Sequence, residues 1–254
     1  QVADKIIFPY VYPDPAGARV QLGIYGACVK VAMIMAMLTQ AFRYAYEPFV
    51  FGKSREQDNR QTYAQAMKFF VIFTLLAFMA VMFYLDVLKY FVGRGYWEGL
   101  RVVPVVMAAE IFMGVYFNLS FWYKLTDETR WGAWFSLAGC AVLVAVNVLL
   151  VPRYGYMACA WGGFAGYGVA MLLSYVVGRR RYPIPYDLRS IGLYVVLCAV
   201  LCLVGLWLPV DSLWPRLGLR TLLLLAFVAV VVRRDLPLSQ VPLLGRLLRR
   251  PRAR

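Results

Sequence analysis

Residues 21–51 read QLGIYGACVKVAMIMAMLTQAFRYAYEPFVF. The stretch Leu22–Phe49 is overwhelmingly apolar, and at 1.5 Å per residue it exceeds the length needed to cross a hydrocarbon core of about 30 Å. It reads as a membrane-spanning helix with a lysine, Lys30, set inside it. Outward from this segment the same pattern recurs. Six more apolar blocks follow, roughly Thr62–Tyr84, Val102–Tyr123, Trp131–Val151, Tyr156–Val177, Ile191–Leu208 and Leu217–Val232, and a half-span, Val2–Tyr12, precedes it. The whole chain has 254 residues, 62% of them hydrophobic and only 16% charged. Its mean hydropathy is +0.65. Soluble domains carry nearer a quarter of charged residues, and disordered chains are poorer still in apolar ones. The reading is an all-α polytopic membrane protein with seven full transmembrane helices plus a partial one. The opening run QVADKIIFPYVYPDP lacks the layout of a signal peptide. It reads as the last turns of a helix that begins upstream, so the sequence is expected to be a piece of a longer chain.

Net charge is +14, with no histidine. In a soluble protein this would point to nucleic acid; here the cations lie between and after the apolar blocks, and no nucleic-acid partner is expected. One set of alternate loops plus the tail holds sixteen Lys and Arg (Lys53, Arg55, Arg60, Lys124, Arg130, Arg179–Arg181, Arg189, Arg233, Arg234, Arg246, Arg249, Arg250, Arg252, Arg254), and the other set holds six (Arg19, Lys89, Arg94, Arg101, Arg153, Arg216). Basic loops stay inside, which puts the C-terminus in the cytoplasm. The tail reads as a stop-transfer anchor or as a segment lying on anionic membrane lipids. Without histidine there is no Ser-His or Cys-His nucleophile pair and no histidine metal site. Cys28, Cys140, Cys159, Cys198 and Cys202 all fall in apolar segments, as small core residues do. No phosphate-binding or zinc motif is present; VGRG at 92–95 is a turn. No catalytic residue, cofactor or metal is expected, and the chain is not read as an enzyme.

Charges inside a bilayer are costly and mark a pathway or a pair. Lys30 lies about nine residues from the external end of its span, and Glu110 about eight residues into a span of the same direction. Asp4 and Lys5 lie at a similar depth. Lys30–Glu110 and Lys30–Asp4 pairs are therefore both open, and so are structural pairing and ligand contact. At 100° per residue Gly23, Gly26, Ile34, Met37, Ala41 and Tyr44 share the face of Lys30, while Gln40, Arg43 and Glu47 form a second polar stripe. Small residues on such a stripe signal close helix packing or room for a ligand. Arg43, Glu47 and Lys68 also lie where side chains snorkel to the interface. In EIFMGVYFNLSFWY, Trp122 and Tyr123 suit the interfacial aromatic belt, and Asn118 and Asn147 suit interhelical hydrogen bonds. The last two spans are mostly Leu, Val and Ala and read as lipid-facing scaffold.

Three stretches together resemble the polysaccharide-transporter branch of the multidrug/oligosaccharidyl-lipid/polysaccharide exporter superfamily. They are residues 21–51, YFNLSFWYKLTDETRWG at 116–132, and NVLLVPRYGYMACAWGGFAGY at 147–167. The eighth-helix pattern of that family is matched by Gly23, Tyr25, Ala27 and Lys30, and a later one by Asn147, Pro152, Tyr154 and Gly155. Ala158 stands where a glycine is usual. Asp4-Lys5 resembles the acidic-basic pair of the family's seventh helix. The resemblance implies the C-terminal lobe of a two-lobe, MATE-like flippase. Residues 1–178 would form the transport lobe, from the end of helix 7 to helix 12, and residues 179–254 the accessory helices 13 and 14 with the basic tail. It also implies a bacterial inner-membrane protein that moves undecaprenyl-pyrophosphate-linked oligosaccharide for polysaccharide or lipopolysaccharide synthesis, by alternating access against an N-terminal half of the same transporter. Lys30, Lys5 and Arg43 would contact the diphosphate, Asp4, Glu110 and Glu47 would pair charges or couple an ion, and Gln40, Tyr44 and Asn118 would line the cavity. Rival readings are a drug or cation antiporter of the same superfamily, a membrane glycan polymerase or ligase acting on the same carrier, and a structural subunit.

Overall fold

The computed structural model describes residues 3–53, 60–208 and 212–235. All described elements are helical, as hydrocarbon requires, since there a backbone N–H or C=O finds a partner only within its own helix or a closed barrel. The elements are α1 (Ala3–Val11), α2 (Pro15–Lys53), α3 (Arg60–Phe83), α4 (Leu85–Leu88), α5 (Val103–Leu119), α6 (Phe121–Leu125), α7 (Arg130–Tyr154), α8 (Tyr156–Arg181), α9 (Leu188–Trp207) and α10 (Leu213–Asp235), with 3₁₀ turns at Lys89–Phe91 and Arg94–Val102. Seven of them, counting the turn that leads into α5 and the short α6 together with α5, are long and apolar enough to cross a membrane. This is a multi-pass membrane protein. Each expected span is found, most of them lengthened at one or both ends by up to two turns. The half-span at the start is α1. The tail beyond Asp235, with Arg246 to Arg254, and Arg55 lie outside the described residues. The helix ends carrying Arg60, Lys124, Arg130, Arg179–Arg181 and Arg189 fall on one side, here the basic side.

Local chemistry sets the breaks. Asp14 ends the α1–α2 turn by accepting the N–H groups of Ala16 (3.0 Å) and Gly17 (2.8 Å), with Pro15 at the first helical position, where its missing N–H costs nothing. Asp187 caps α9 in the same way, accepting from Ser190 N at 3.1 Å. Between α7 and α8 the chain reverses at Gly155, whose φ of +56° suits glycine alone. The resulting hairpin is packed backbone to backbone: a Cβ on Gly139 would lie 2.7 Å from the Gly166 carbonyl oxygen, and one on Gly166 would lie 2.7 Å from that of Gly139. This is the small-residue packing of membrane helices. The hairpin lies on α5, α5 on α2, and α1 fills the groove between α2 and α7. Phe8, Cys28, Met35, Val103, Met107 and Cys159 form the core there.

The pair α9–α10 packs on α3, burying Phe70, Met79, Phe83, Tyr194, Cys198 and Phe227. A polar staple at each end holds it. Arg220, buried within α10, donates from Nη1 to the Phe83 carbonyl (2.9 Å) and to Asp86 Oδ2 (2.8 Å), and from Nε to the Gly205 carbonyl (3.1 Å). These are last-turn carbonyls of α3 and α9, which lack helical partners and sit at the negative end of the helix dipole. Arg216 and Lys89 also reach Asp86, at 3.2 and 3.7 Å. On the basic side Lys68 meets Asp235 at 2.7 Å, and Tyr194 donates its hydroxyl hydrogen to the same carboxylate. The last two spans are therefore fastened by charge, a correction to their reading as plain scaffold.

Burial pushes the Asp86 carboxyl up, but the hydrogen bond from Arg220, its charge and those of Arg216 and Lys89 outweigh it and hold the group below the usual carboxylate range. Asp86 thus adds stability that is whole above the carboxylate pKa of the unfolded chain and is lost as pH falls through the lower native value. Asp86→Asn should remove this acid dependence and, by leaving Arg220 buried without its counter-charge, cost on the order of 3 kcal/mol. Thermal unfolding in detergent across the acid range is the measurement, and unchanged stability in the variant would contradict the staple.

Candidate functional site

Lys30 stands close to the middle of the span Pro15–Pro48. Its side chain is exposed, and among the described residues it forms no ion pair. It lines a cavity of about 480 Å³ with Ala27, Val31 and Ile34 of α2, Leu88 and the segment Phe91–Gly93, and Tyr96. The wall of this cavity opposite α2 is the connection between α3 and α5. Cys28 Sγ, two residues before Lys30, donates to the Tyr96 carbonyl at 3.2 Å and fixes that wall. The stripe expected beside Lys30 is open. Gly23, Ile34, Met37, Ala41 and Tyr44 are exposed, Gly26 is half-buried, and a Cβ on either glycine would touch nothing. Among the described residues no helix packs against Gly23 or Gly26.

Neither expected pair with Lys30 forms. Asp4 is buried and accepts a hydrogen bond from the Tyr25 hydroxyl at 2.8 Å and another from the Lys5 backbone N–H at 3.0 Å. Tyr25 precedes Lys30 by five residues, about 140° around the helix at 100° per residue. The face of α2 that takes Asp4 therefore points away from the face that carries Lys30. Glu110 is buried in α5, within electrostatic reach of Tyr167 of α8, which also senses Asp4. Asp4, Tyr25, Cys159 and Tyr167 border one small recess of about 20 Å³. The carboxylates Asp4 and Glu110 lie inside the bundle and the Lys30 ammonium lies on its surface. Lys5 is exposed on α1, next to the exposed Ile6, Pro9 and Tyr10.

The second polar stripe does form a network. Glu47 Oε1 accepts from Lys124 Nζ at 2.8 Å, and Glu47 Oε2 lies 3.6 Å from Arg43 Nε. The Arg43 guanidinium stacks over Phe117, 4.9 Å from the ring centroid. This links α2 to α5 and α6 on the basic side. Arg43 borders a recess with Thr39, Tyr46 and Asn118. Gln40 is half-buried and Tyr44 is exposed, while the three residues expected to snorkel, Arg43, Glu47 and Lys68, are all ion-paired, Lys68 with Asp235.

Several expectations are corrected. Asn118 donates from Nδ2 to the Gly114 carbonyl of its own helix at 3.0 Å instead of reaching another helix. Asn147 is fully buried against Gly162, where a Cβ would lie 2.5 Å from its Oδ1, and its amide has no hydrogen-bond partner among the described residues. Trp122 and Tyr123, expected in the interfacial belt, are buried with Phe135 near the basic end of the span Arg94–Leu125; the Ser120 hydroxyl before them bonds back to Phe117 O at 2.6 Å. In the loop before α7, Glu128 is paired with Arg181 at 3.0 Å. Among the described residues, no group of three or more His, Cys, Asp or Glu is arranged to hold a metal.

The chain matches no family model, no curated protein and no solved structure.

The geometry separates two classes of position by their access to water. With Cys28, Cys140, Cys159, Cys198 and Cys202 replaced by alanine, Lys30→Cys in membranes should react readily with a charged thiol reagent, whereas Glu110→Cys should be at least about tenfold slower. Equal rates, or an inert cysteine at position 30, would contradict the exposed placement of Lys30.

Proposed function

We propose that the protein is a flippase for undecaprenyl-pyrophosphate-linked oligosaccharide, acting in a bacterial inner membrane with its C-terminus in the cytoplasm. On this reading the chain supplies the C-terminal lobe, and an N-terminal half faces the open stripe of α2. One observation carries the proposal: an ammonium near the middle of a membrane span, exposed beside a cavity and without a carboxylate partner among the described residues. A lone cation facing hydrocarbon there is unfavourable by several kcal/mol. Water or an anion must meet it. The diphosphate of a lipid carrier is such an anion, and it has to pass the same depth while its sugars stay wet.

The residues divide the work. Lys30 binds diphosphate oxygens by charge-assisted hydrogen bonds. Lys5 extends the cationic surface on α1, and Tyr44 and Met37 give the carrier an apolar wall. Arg43, Glu47 and Lys124 clasp α2 to α6 at the basic end, on a different stripe of the helix. Asp4 fixes α1 to α2 through Tyr25, so that the partial helix is held with Lys5 exposed, and Glu110 shares that buried acidic region. Alternating access would rock this lobe against its partner.

A cation antiporter draws support from the buried pair of carboxylates, and the two readings part at Lys30, whose charge opposes a cationic cargo. In the complete transporter Lys30→Ala should lower export of lipid-linked glycan about tenfold or more, the scale of losing one partner of a desolvated charge pair. Lys30→Arg should restore part of it, and membrane insertion should be unchanged in both. Surface glycan in cells relying on each variant gives the answer. Full export by Lys30→Ala would overturn the diphosphate role, and intact cation efflux with no glycan phenotype would favour antiport. The chain on its own, reconstituted in vesicles, should translocate no lipid.

A further inference from the structure

A second hollow lies away from Lys30, on the basic half of the molecule. Between α8 and α9 a cleft of about 340 Å³ is floored by α3 and α5 and walled by side chains such as Met67, Val71, Ile111, Met171, Ile191 and Val195. From Ile111 to Leu119 its floor runs about 12 Å at 1.5 Å per residue. That is most of one leaflet, whose share of the hydrocarbon core is about 15 Å. The cleft does not continue through the other half of the membrane. It arises because α9 and α10 pack on α3 and leave α8 uncovered.

The basic-side end of this cleft is not apolar. Leu119, Tyr175 and Tyr186 border both the cleft and a recess of about 10 Å³ that is also lined by Trp122, Ser174 and Arg179. The Ser174 side chain is fully buried and that of Trp122 is 2% exposed, yet Ser174 Oγ and Trp122 Nε1 have no hydrogen-bond partner among the described residues. Unmet donors at such burial are rare and costly. Gly178, one turn beyond Ser174, is what lets the indole approach: a Cβ there would lie 2.7 Å from Nε1. The recess has room for about one oxygen atom. At its rim Arg179 is exposed and in no ion pair among the described residues, and its chain neighbour Arg180 is likewise exposed. Asp187, at the start of α9, is engaged as the cap of that helix.

These features order themselves along the membrane normal as cations, then hydrogen-bond donors, then a hydrocarbon slot one leaflet deep. We propose that the cleft binds one anionic phospholipid of the basic-side leaflet. One acyl chain lies between α8 and α9, an ester or phosphate oxygen accepts from Ser174 Oγ and Trp122 Nε1, and the phosphate faces Arg179. A transmembrane helix fits the site less well, because its own carbonyls are already bonded and it offers no oxygen to the two donors.

The test is native mass spectrometry of the detergent-solubilised protein after exposure to vesicles of equal parts phosphatidylglycerol and phosphatidylcholine. The expected result is one retained phosphatidylglycerol in at least fivefold preference. Arg179→Gln should abolish the preference, Arg179→Lys should keep it, and Ser174→Ala should lower retention at least threefold without changing the unfolding temperature measured free of lipid. Equal retention of the two lipids, or unchanged preference in Arg179→Gln, would overturn the proposal. So would protein dimers that exclude lipid, which would give the cleft to a second copy, or displacement of phosphatidylglycerol by undecaprenyl phosphate at equal concentration.

Discussion

Hydrocarbon offers no hydrogen-bond partner, so every polar group carried into it must be answered by another part of the protein. Backbone groups in this chain are answered within the helices, and the exceptions explain much of the tertiary structure. Last-turn carbonyls of α3 and α9 are met by Arg220, and the Asp4 carboxylate by the Tyr25 hydroxyl and a backbone N–H. Polar contacts thus choose which helices sit together, while apolar packing fills the space between them. Against that background an ammonium left open to the surface at mid-span is the exception that asks for a ligand.

The fold was largely legible in the sequence. Span length and apolarity follow from the thickness of a bilayer, and the alternation of basic and less basic loops follows the strand of chain from side to side. Which residues share one face of a helix was legible too, because it needs only a count along that helix: Gly23, Ile34, Met37, Ala41 and Tyr44 do lie open with Lys30. Azimuth between helices was not, since it depends on which helix lies where, and the pairing of Asp4 with Tyr25 in place of Lys30 is settled by a rotation of about 140° on α2. Arg220 was missed for another reason. Two of its three partners are backbone carbonyls, which leave no trace in side-chain pattern. The burial of Trp122 and Tyr123 was hidden because aromatic residues near a span end normally mark the interface, and their packing on Phe135 depends on which helix lies beside them.

Charge is segregated within the bundle. The carboxylates Asp4 and Glu110 are enclosed by α1, α2, α5 and α8, whereas Lys5 and Lys30 look outward from α1 and α2. A lobe built this way hides these acids and shows these cations. The network of Arg43, Glu47 and Lys124 ties the basic end of α2 to α6 on a separate stripe. Together they give α2 three zones: a bonded face toward α1 and α5, an open cationic face, and a charged clasp at one end.

The stapling of α9 and α10 also bears on how the molecule is made. Asp86 and Arg220 are 134 residues apart in the chain. At ribosomal speeds of about 5–20 residues per second, Asp86 leaves the ribosome roughly 7 to 27 s before its main partner. α10 therefore arrives after the helices it fastens, and its arginine acts as a late fastening. Truncated chains lacking α10 would expose an acidic, carbonyl-rich patch that quality-control proteases in the membrane can recognise.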